Sequence, residues 1–457
     1  MVGGILRLYR IGPSLQFLGD QGRDVLVMYR LLHGDLPFIG PITSVGGFYL
    51  GPLYYYLMAP WLWLARFNPV GPAIATAVIG IMTVPLLYLV AKKLYSHRVG
   101  LWAAALYALA YIPISTTRSA WNPNPMPLAA LGIIYGFYLA NYQNKPRGLL
   151  LAAASLGAAL QLHYMIVFLA PFILWQLVLA RRHRKELSAG LIILLLLLLP
   201  LGLFEIKNHW LNTNGLLEFL TKHQYGGLDW WAVLKNTVGR SEQAIGLVLG
   251  FGLNFNPVRT WVTRAFLLLL VIFFKRFKFL GIYLLSSIVM LAVYQDNIYP
   301  HYLGFLFPAV FMLVAAVLSR LPKLLLPAFT LMFLVYNLPQ INSLIRQQGN
   351  LLNVQKTAEF IGHDIRANNY QSVNLSLIDG THDYTAMNYR YFLTLNKTQL
   401  LAADQYPQTQ ILYLVSPYQQ TEILEQPMWE IQALLPAAVE QTWQWPDREN
   451  IYKIKRL

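Results

Sequence analysis

The sequence predicts an all-α polytopic membrane protein that carries a small α/β domain at its C-terminal end. The first reason is composition: 56% of the 457 residues are hydrophobic, only 12% are charged, and the mean hydropathy is +0.44. A soluble domain of this composition would expose far more apolar surface than it could bury. The absence of cysteine excludes disulfides and thiolate metal sites.

The second reason is a series of ten apolar stretches, most of them long enough to cross a bilayer as a helix. The stretches at 148–162 and 263–275 are short for a span. The segment 1–11 is also too short and carries Arg7 and Arg10, so we interpret it as the remainder of a truncated first helix. About eleven transmembrane helices are therefore expected. The ten stretches are 71–91, 98–117, 126–143, 148–162, 164–180, 187–206, 263–275, 278–295, 300–319 and 322–338.

The third reason is the distribution of lysine and arginine, which gather in alternate loops between these stretches. By the positive-inside rule, those loops face the cytoplasm. The net charge of +15 then reflects loops beside anionic lipid, and because the basic residues are scattered between apolar spans, nucleic acid is not an expected partner. The basic clusters are Lys92, Lys93 and Arg98; Lys145 and Arg147; Arg181, Arg182, Arg184 and Lys185; Lys275, Arg276 and Lys278; and Arg320 and Lys323.

This orientation places the unusual polar residues on the extracytoplasmic side. The membrane domain is expected over 1–340, with a first external loop at 12–70 and a large external loop at 207–262. After Leu338 the apolar blocks stop, and period-two runs at 372–378 and 409–415 alternate with helix-like segments. A mixed α/β domain over 345–457 is therefore expected on the same external side.

Two segments of the first external loop are distinctive. The run 51–64, GPLYYYLMAPWLWL, is rich in the aromatic residues that prefer the headgroup level, so we expect a helix lying in the membrane interface. The segment 18–24, LGDQGRD, places Asp20 and Asp24 close to the bilayer, where charge is costly and marks a candidate functional site. Asp20 as a helix N-cap and Asp24 as a surface partner of Arg23 or Arg30 remain structural alternatives.

A family resemblance follows from the order of these motifs: an acidic first external loop, then PLYYYL, a basic cytoplasmic turn, an external turn reading SAWNPNP, and a helix that ends in His-Tyr. This order resembles the GT-C superfamily, and within it the protein O-mannosyltransferase and lipid A aminoarabinose transferase group of bacterial membrane glycosyltransferases. The resemblance covers about residues 12–320 in arrangement.

The resemblance implies transfer of a sugar from a polyprenyl-phosphate carrier to a protein, lipid or glycan acceptor at the external face of the bacterial inner membrane, with inversion at the anomeric carbon. In such enzymes the first-loop aspartate acts on the acceptor, and Asp20 is the matching position. The family commonly has Asp-Glu there, whereas this chain has Asp20-Gln21. Asp24, one helical turn later, replaces the missing carboxylate only in part.

Displacement of a polyprenyl phosphate from a sugar requires the same types of residue, independently of the resemblance. A carboxylate that takes the proton of the acceptor hydroxyl contributes roughly 10²–10⁴-fold to the rate. One such carboxylate suffices for inversion, whereas retention would need a nucleophile as well. The departing phosphate also needs cations or aligned donors around it. The candidates for this duty on the external side are Arg23, Arg66, Arg118, Asn122, His163, Lys207, His209, His301 and Tyr302.

Structural alternatives accompany these candidates. His163 is equally explained as an interfacial imidazole, His301 and Tyr302 as anchors at a span boundary, and Lys207 and His209 as snorkelling side chains. The histidines occur singly, without metal-ligand spacing, so no cofactor is assigned and a divalent metal has no support from spacing. We expect Asp20 and the imidazoles to share one cavity at the outer leaflet.

Two other functions remain open. A flippase for a lipid-linked sugar would also have about eleven spans, but it should show broken helices in matching halves and charges near the middle of the membrane. A lipid-linked oligosaccharide polymerase or ligase would use a large external loop with arginine and histidine, but it does not explain the acidic first loop.

Overall fold

The computed structural model describes residues 1–43, 47–222, 230–251, 257–294, 297–380, 383–444 and 449–457. Their contacts form two compact units, one of Met1–Ile11 and Gly34–Gln347, the other of Gly12–His33 and Gln348–Leu457. Residues 12–33 are expected in the first external loop of the membrane domain. In the structure, this segment packs with the C-terminal residues, so the second unit is built from two pieces of the chain.

The N-terminal half is helical, and α2 is the only element in its part of the list below that belongs to the second unit. The helices are α1 Val2–Leu8, α2 Gly19–Leu32, α3 Leu53–Leu64, α4 Val70–Leu94, α5 His97–Leu109, α6 Tyr111–Thr117, α7 Met126–Tyr142, α8 Gly148–Leu162, a 3₁₀ turn Tyr164–Leu169, α9 Ala170–Ala180 and α10 Arg184–Lys207.

The remaining elements continue the bundle to α16 and then form the C-terminal part of the second unit. They are α11 Leu211–Lys222, α12 Trp230–Val248, α13 Pro257–Ile272, α14 Phe274–Val293, a 3₁₀ turn Pro300–Leu303, α15 Phe307–Leu318, α16 Leu325–Arg346, α17 Leu351–Ala367, β1 Val373–Leu377, α18 Met387–Leu395, a 3₁₀ turn Tyr406–Gln408, β2 Ile411–Ser416, α19 Gln420–Ile423, α20 Trp429–Gln432, β3 Ala437–Gln444 and β4 Asn450–Arg456.

Each of the ten apolar stretches coincides with a helix, with a helix and its neighbouring turn or, for 98–117, with two successive helices, which confirms the polytopic helical architecture. Within the described residues, four helical stretches are long and apolar enough to cross a bilayer: α4, α10, α14 and Leu325–Ala367. The pair α5 and α6, bent by 59°, gives a fifth when it is counted as one span. Five shorter apolar helices complete the set: Met126–Tyr142, Gly148–Leu162, Tyr164–Ala180, Thr260–Ile272 and Phe307–Leu318.

Burial distinguishes the centre of the bundle from its surface. Every residue of α15 is buried. Helix α10 instead exposes leucine and isoleucine side chains along most of its length, with only Gly190 and Glu205 buried. A helix that is apolar all round but exposed is suited to face lipid rather than water.

The bend between α5 and α6 is stabilised by the fully buried Arg7 of α1. Its guanidinium donates hydrogen bonds to the carbonyls of Tyr107 and Ala108 at 3.3 and 3.2 Å, just before α5 ends, and it lies 5.5 Å from the centre of the Tyr107 ring. These carbonyls have no partner within their own helix because the helix stops there. The arginine side chain therefore satisfies them from outside.

The aromatic run forms helix α3, as expected, but only part of it is available to headgroups. Tyr54 and Tyr55 are buried in the protein, whereas Tyr56 and Trp63 are exposed. The expectation of an interfacial aromatic helix therefore fails for its first two tyrosines, which are core residues. Periodicity did not separate the two faces because the run contains apolar and aromatic residues on both.

The second unit contains a four-stranded sheet with the order β1-β2-β4-β3, in which β1 and β2 are parallel and the other pairs are antiparallel. The period-two runs at 372–378 and 409–415 correspond to β1 and β2. Both strands are buried at every residue. Strands β3 and β4 have no counterpart among the predicted strands, since β3 is partly exposed, rich in glutamine and glutamate, and interrupted by a bulge between Val439 and Gln441.

Candidate active site

The acidic motif begins helix α2 of the second unit. Asp20 lies in the first turn of this helix, while Leu18 occupies the N-cap position, and the Gln21 side chain accepts a hydrogen bond from the Leu18 N–H at 2.9 Å. Asp20 is therefore not the N-cap, and the capping alternative for it is wrong. Its side chain is 48% exposed and lies where the helix dipole favours negative charge.

Arg23 bridges the two carboxylates of the motif. Its Nη1 lies 2.9 Å from Asp20 Oδ1, and its Nη2 lies 3.0 Å from Asp24 Oδ1. Asp24 is only 1% exposed, so the alternative of a surface carboxylate is wrong in its position and right in its pairing with Arg23. The positive charge of Arg23 is thus compensated inside the motif, and Asp20 is the exposed carboxylate of the group.

Three candidates of the first unit come together in one cluster. The ring of Tyr302 lies 5.0 Å from that of His163 and 4.6 Å from that of His301, and the two imidazoles are 6.2 Å apart, all between ring centres. His163 follows α8, while His301 and Tyr302 lie in the turn before α15. Residues about 140 positions apart in the sequence, at the ends of apolar helices, therefore meet in space.

Two aromatic residues that are not among the predicted candidates complete this cluster. Trp121 lies over His301 with 4.2 Å between ring centres, and Tyr164 stacks on His163 at 4.5 Å. Trp121 belongs to the SAWNPNP turn and Tyr164 to the His-Tyr pair. Both residues therefore lie in motifs that support the family resemblance. We name the set Trp121, His163, Tyr164, His301 and Tyr302 the imidazole cluster.

Both imidazoles of the cluster are neutral near pH 7. Burial, together with the nearby His301, lowers the pKa of His163 to about 3, and burial lowers the pKa of His301 to about 4. His163 Nδ1 accepts a hydrogen bond from the Met165 N–H at 3.3 Å, which leaves the proton of the neutral ring on Nε2. The imidazoles can therefore donate hydrogen bonds to an anion but do not supply positive charge to it.

An apolar cavity of about 640 Å³ lies beside the imidazole cluster. Most of its wall is formed by aliphatic and aromatic side chains, among them Phe48, Leu160, Leu198 and Met290, and Tyr164 belongs both to this wall and to the cluster. The cavity therefore places a long apolar surface next to a small group of hydrogen-bond donors. Ligands that are apolar at one end and polar at the other suit such a site.

Glu205 is the carboxylate in the cavity wall, and its two oxygens are occupied. They accept hydrogen bonds from the N–H groups of Asn212 and Thr213, each at 2.9 Å, and so cap the start of α11. The Asn212 side chain in turn accepts from the Tyr49 N–H at 2.8 Å and donates to the Tyr49 carbonyl at 3.0 Å. Glu205 therefore builds the wall of the cavity rather than acting as a free base.

A cation lies near the cavity on α12, which packs against the turn 300–303. Arg240 donates a hydrogen bond from Nη2 to the carbonyl of Tyr294 at 2.8 Å, and Tyr294 lines the cavity. Arg240 is not among the residues predicted for the site, because it lies far from any motif, in the middle of the large external loop.

Other candidates lie elsewhere. Arg118 Nη1 donates to the carbonyls of Leu6, Arg7 and Tyr9 at 2.9, 3.1 and 2.9 Å and so caps the end of α1. Asn122 donates to the Leu162 carbonyl at 2.6 Å.

The basic groups Arg66, Lys207 and His209 are exposed, and none of the three is in the cavity wall formed by the described residues. Their proposed contacts with a phosphate remain predictions, as do those of Arg118 and Asn122. In the part of the chain that the structure describes, no group of three or more His, Asp or Glu side chains is placed to hold a metal ion.

Part of the chain matches a protein family, and the whole chain resembles solved structures in its fold. Residues 50–205 match the family model for dolichyl-phosphate-mannose-protein mannosyltransferase. Crystal structures of ArnT from Cupriavidus metallidurans align with TM-scores of 0.62 in the apo state and 0.60 with undecaprenyl phosphate, at 13% identity in both cases. These alignments cover 99% of this chain and 95% and 96% of the ArnT chains, respectively.

The oligosaccharyltransferase of Archaeoglobus fulgidus, in complex with Zn and sulfate, aligns with a TM-score of 0.54 at 13% identity over 99% of this chain and 72% of that chain. The comparison with curated protein sequences finds no match.

Proposed function

We propose that this chain, which has the fold of the GT-C superfamily of membrane glycosyltransferases, transfers a sugar from a polyprenyl-phosphate donor to an acceptor hydroxyl. The family match over 50–205 and the likeness in fold agree with the resemblance that the motifs indicated. Transfer of lipid-linked sugars is the general activity of these relatives. The donor, the inverting course and the acceptor side of the membrane are our proposals.

The observation that carries this proposal is the apolar cavity whose wall includes Tyr164 of the imidazole cluster. A polyprenyl phosphate has an isoprenoid chain that suits the cavity and a phosphate that suits hydrogen-bond donors. The ArnT structure of similar fold is bound to undecaprenyl phosphate, and the archaeal oligosaccharyltransferase AglB has been solved in complex with an inhibitory peptide and a dolichol-phosphate. Both lipids have this same amphipathic character.

The proposed reaction is a single displacement. Asp20 takes the proton from the acceptor hydroxyl. The oxygen of that hydroxyl forms a bond to the anomeric carbon, while the bond from the anomeric carbon to the phosphate oxygen breaks. With one base and no enzyme nucleophile, the configuration inverts. Polyprenyl phosphate leaves with the bonding electrons, and we assign the stabilisation of its charge to Arg240 and to the donors His163, His301 and Tyr302.

The proposed location is the bacterial inner membrane, with the site and the C-terminal unit on the extracytoplasmic side. The alternation of the basic loops supports this orientation. The partners would be a polyprenyl-phosphate-linked sugar, the surrounding lipid, and a protein, lipid or glycan acceptor.

The donor part of the proposal is tested by binding of undecaprenyl phosphate to the purified protein, measured by native mass spectrometry. Leu198 lines the cavity, so Leu198→Trp fills it and is expected to weaken binding at least tenfold. Leu195→Trp on the same helix is the matched control. Leu195 is exposed on the outer face, so this variant should bind undecaprenyl phosphate as the native protein does. Equal binding by the two variants would contradict the assignment of the cavity.

The catalytic part is tested in a deletion strain of the source organism, by mass spectrometry of its cell-envelope glycans and glycoproteins. The native gene should restore a missing product, and Asp20→Asn should reduce its yield by roughly 10²-fold or more, since the general base is lost. Asp404→Asn, which changes an exposed aspartate, is the control. Full restoration by Asp20→Asn would remove the proposed base.

A further inference from the structure

We propose that Asn388 is a positioning residue through which the C-terminal part of the second unit fixes the turn that carries Asp20. The inference rests on the proposed function, since it concerns the base of that reaction. It explains why the LGDQGRD motif contains Gly19 and Gly22, which have no role in the proposed reaction.

Gly19 and Gly22 are the places where α2 meets the start of α18. A Cβ atom on Gly22 would lie 2.3 Å from the backbone nitrogen of Asn388. A Cβ atom on Gly19 would lie 2.0 Å from Oδ2 of Asp383. Backbone cannot give way at such a distance, so only glycine allows this approach at position 22. Asp20 lies between these two contact points.

Hydrogen bonds hold the residue that precedes the helix cap. The Asn388 side chain donates from Nδ2 to the Phe17 carbonyl at 3.0 Å. Asn350 accepts a hydrogen bond from the Phe17 N–H at 2.6 Å and donates to its carbonyl at 3.3 Å. Both polar groups of the Phe17 backbone are thus bound by side chains that lie more than 330 positions later in the chain.

Aromatic packing and a cap complete the contact. The Phe17 ring is buried against Tyr391 and Phe392 of α18, with ring centres 6.1 and 5.7 Å away. Asp383 accepts hydrogen bonds from the Met387 N–H at 3.0 Å and the Thr385 hydroxyl at 2.8 Å, so the carboxylate that touches Gly19 also caps α18. Burial first, and the negative charge of Asp20 as a lesser cause, raise the pKa of Asp383.

The consequence is that the backbone of Asp20 is held on both sides by the C-terminal residues of its unit. A general base needs a fixed position, since a displacement of about 1 Å costs roughly 10²-fold in rate. Asp20 is half exposed, so packing of its own side chain does not fix it. The contact with α18 supplies the missing constraint.

The experiment uses the full chain in lipid nanodiscs. Hydrogen exchange of residues 17–24 is measured in Gly22→Ala and in Asn388→Ala, with Gly202→Ala as the control, because nothing lies within 4 Å of a Cβ atom there. Exchange in 17–24 should rise at least tenfold in the first two variants and stay unchanged in the control. In the deletion strain, their glycan yield should fall at least tenfold, while their binding of undecaprenyl phosphate stays within twofold of native.

The retained lipid binding separates positioning from general misfolding. Unchanged exchange over 17–24 in Asn388→Ala would overturn the inference even if Gly22→Ala fails to fold. Raised exchange with a full glycan yield would overturn it as well, provided that Asp20→Asn abolishes that yield. A full yield from Asp20→Asn would instead refute the proposed base, while the exchange data would still decide whether α18 holds the turn.

Discussion

Burial of His163 makes the fold sensitive to acid. Its pKa of about 3 lies below the ordinary histidine value of about 6.5, so as the pH falls the unfolded chain takes up this proton before the folded protein does. The stabilisation is complete above about pH 6.5 and is lost between there and about pH 3. At pH 5 the loss attributable to His163 is about 2 kcal/mol.

The variant His163→Asn should remove this part of the acid sensitivity. Asparagine keeps an acceptor for the Met165 N–H and does not titrate. We therefore expect the drop in the thermal unfolding midpoint between pH 7 and pH 5, measured in detergent by scanning fluorimetry, to be smaller in the variant than in the native chain. Equal drops in both proteins would show that His163 is not buried as the structure has it.

The proximity of candidate residues was predictable where their position along the chain alone defined it. His163, His301 and Tyr302 were selected because they lie at the ends of apolar stretches on one side, and the structure brings them into contact. The same reasoning selected Arg118 and Asn122, which bind backbone carbonyls instead. Sequence does not reveal which polar side chains at a helix end are consumed by caps, because that depends on which carbonyls approach from other helices.

Helix α11 depends on a carboxylate from the preceding helix. Both Glu205 oxygens accept from its first N–H groups, so Glu205→Gln leaves one of these donors without its partner. Loss of a helix cap costs about 1–2 kcal/mol, and hydrogen exchange over 211–222 should rise by roughly tenfold or more. Glu425→Gln, at an exposed glutamate, is the control. Unchanged exchange over α11 would show that the cap contributes nothing.

Helix α18 is tied to the sheet by the buried Arg390. Its guanidinium donates to the carbonyls of Thr385, Leu401 and Leu375 at 2.6, 2.9 and 3.1 Å, and also to the Asn374 side chain. A lysine ammonium is a compact point charge and cannot reach these acceptors at once. Arg390→Lys should therefore lower the free energy of unfolding by roughly 2–4 kcal/mol.

The loss is measured as a shift in the midpoint of chemical unfolding, with Tyr and Trp fluorescence as the signal. Arg346→Lys, at an exposed arginine, should leave the midpoint unchanged. A native-like midpoint for Arg390→Lys would mean that the carbonyls find other donors.

Helices and strands were predictable where their own sequence has a clear hydrophobic pattern. The apolar stretches located the bundle helices, and the runs at 372–378 and 409–415 located β1 and β2. The hairpin of β3 and β4 was not predicted, because β3 has exposed polar residues on both faces and so lacks the alternation of a half-buried strand. Helix α2 packs against α18, which lies more than 350 positions away and leaves no trace in the local sequence of α2.

The division of the chain into two units, each built from two segments, is the feature of the whole molecule that is least predictable from the sequence. The chain begins in the first unit, contributes residues 12–33 to the second, returns to the first for more than three hundred residues, and ends in the second. Composition changes only once, near residue 338, so a division by composition yields one boundary where the structure has three.

This division predicts the result of shortening the chain after residue 347. Removal of 348–457 takes away Tyr391 and Phe392, the ring partners of Phe17, together with the rest of helix α18, against which α2 packs. A helix of 14 residues with exposed apolar side chains is marginal in water, so 12–33 should lose its protection. We expect trypsin to cut at Arg23 and Arg30 in the shortened chain within the time that leaves both sites intact in the full chain, as read by mass spectrometry.

Binding of undecaprenyl phosphate should survive in the shortened chain, because the cavity wall and the imidazole cluster belong to the first unit. Continued protection of 12–33 would mean that α2 is stable without α18, and the positioning role of Asn388 would lose its basis. Loss of lipid binding together with cleavage would mean instead that the first unit needs the second to fold. The two measurements on one shortened chain thus separate the dependence of α2 on α18 from the dependence of the bundle on the second unit.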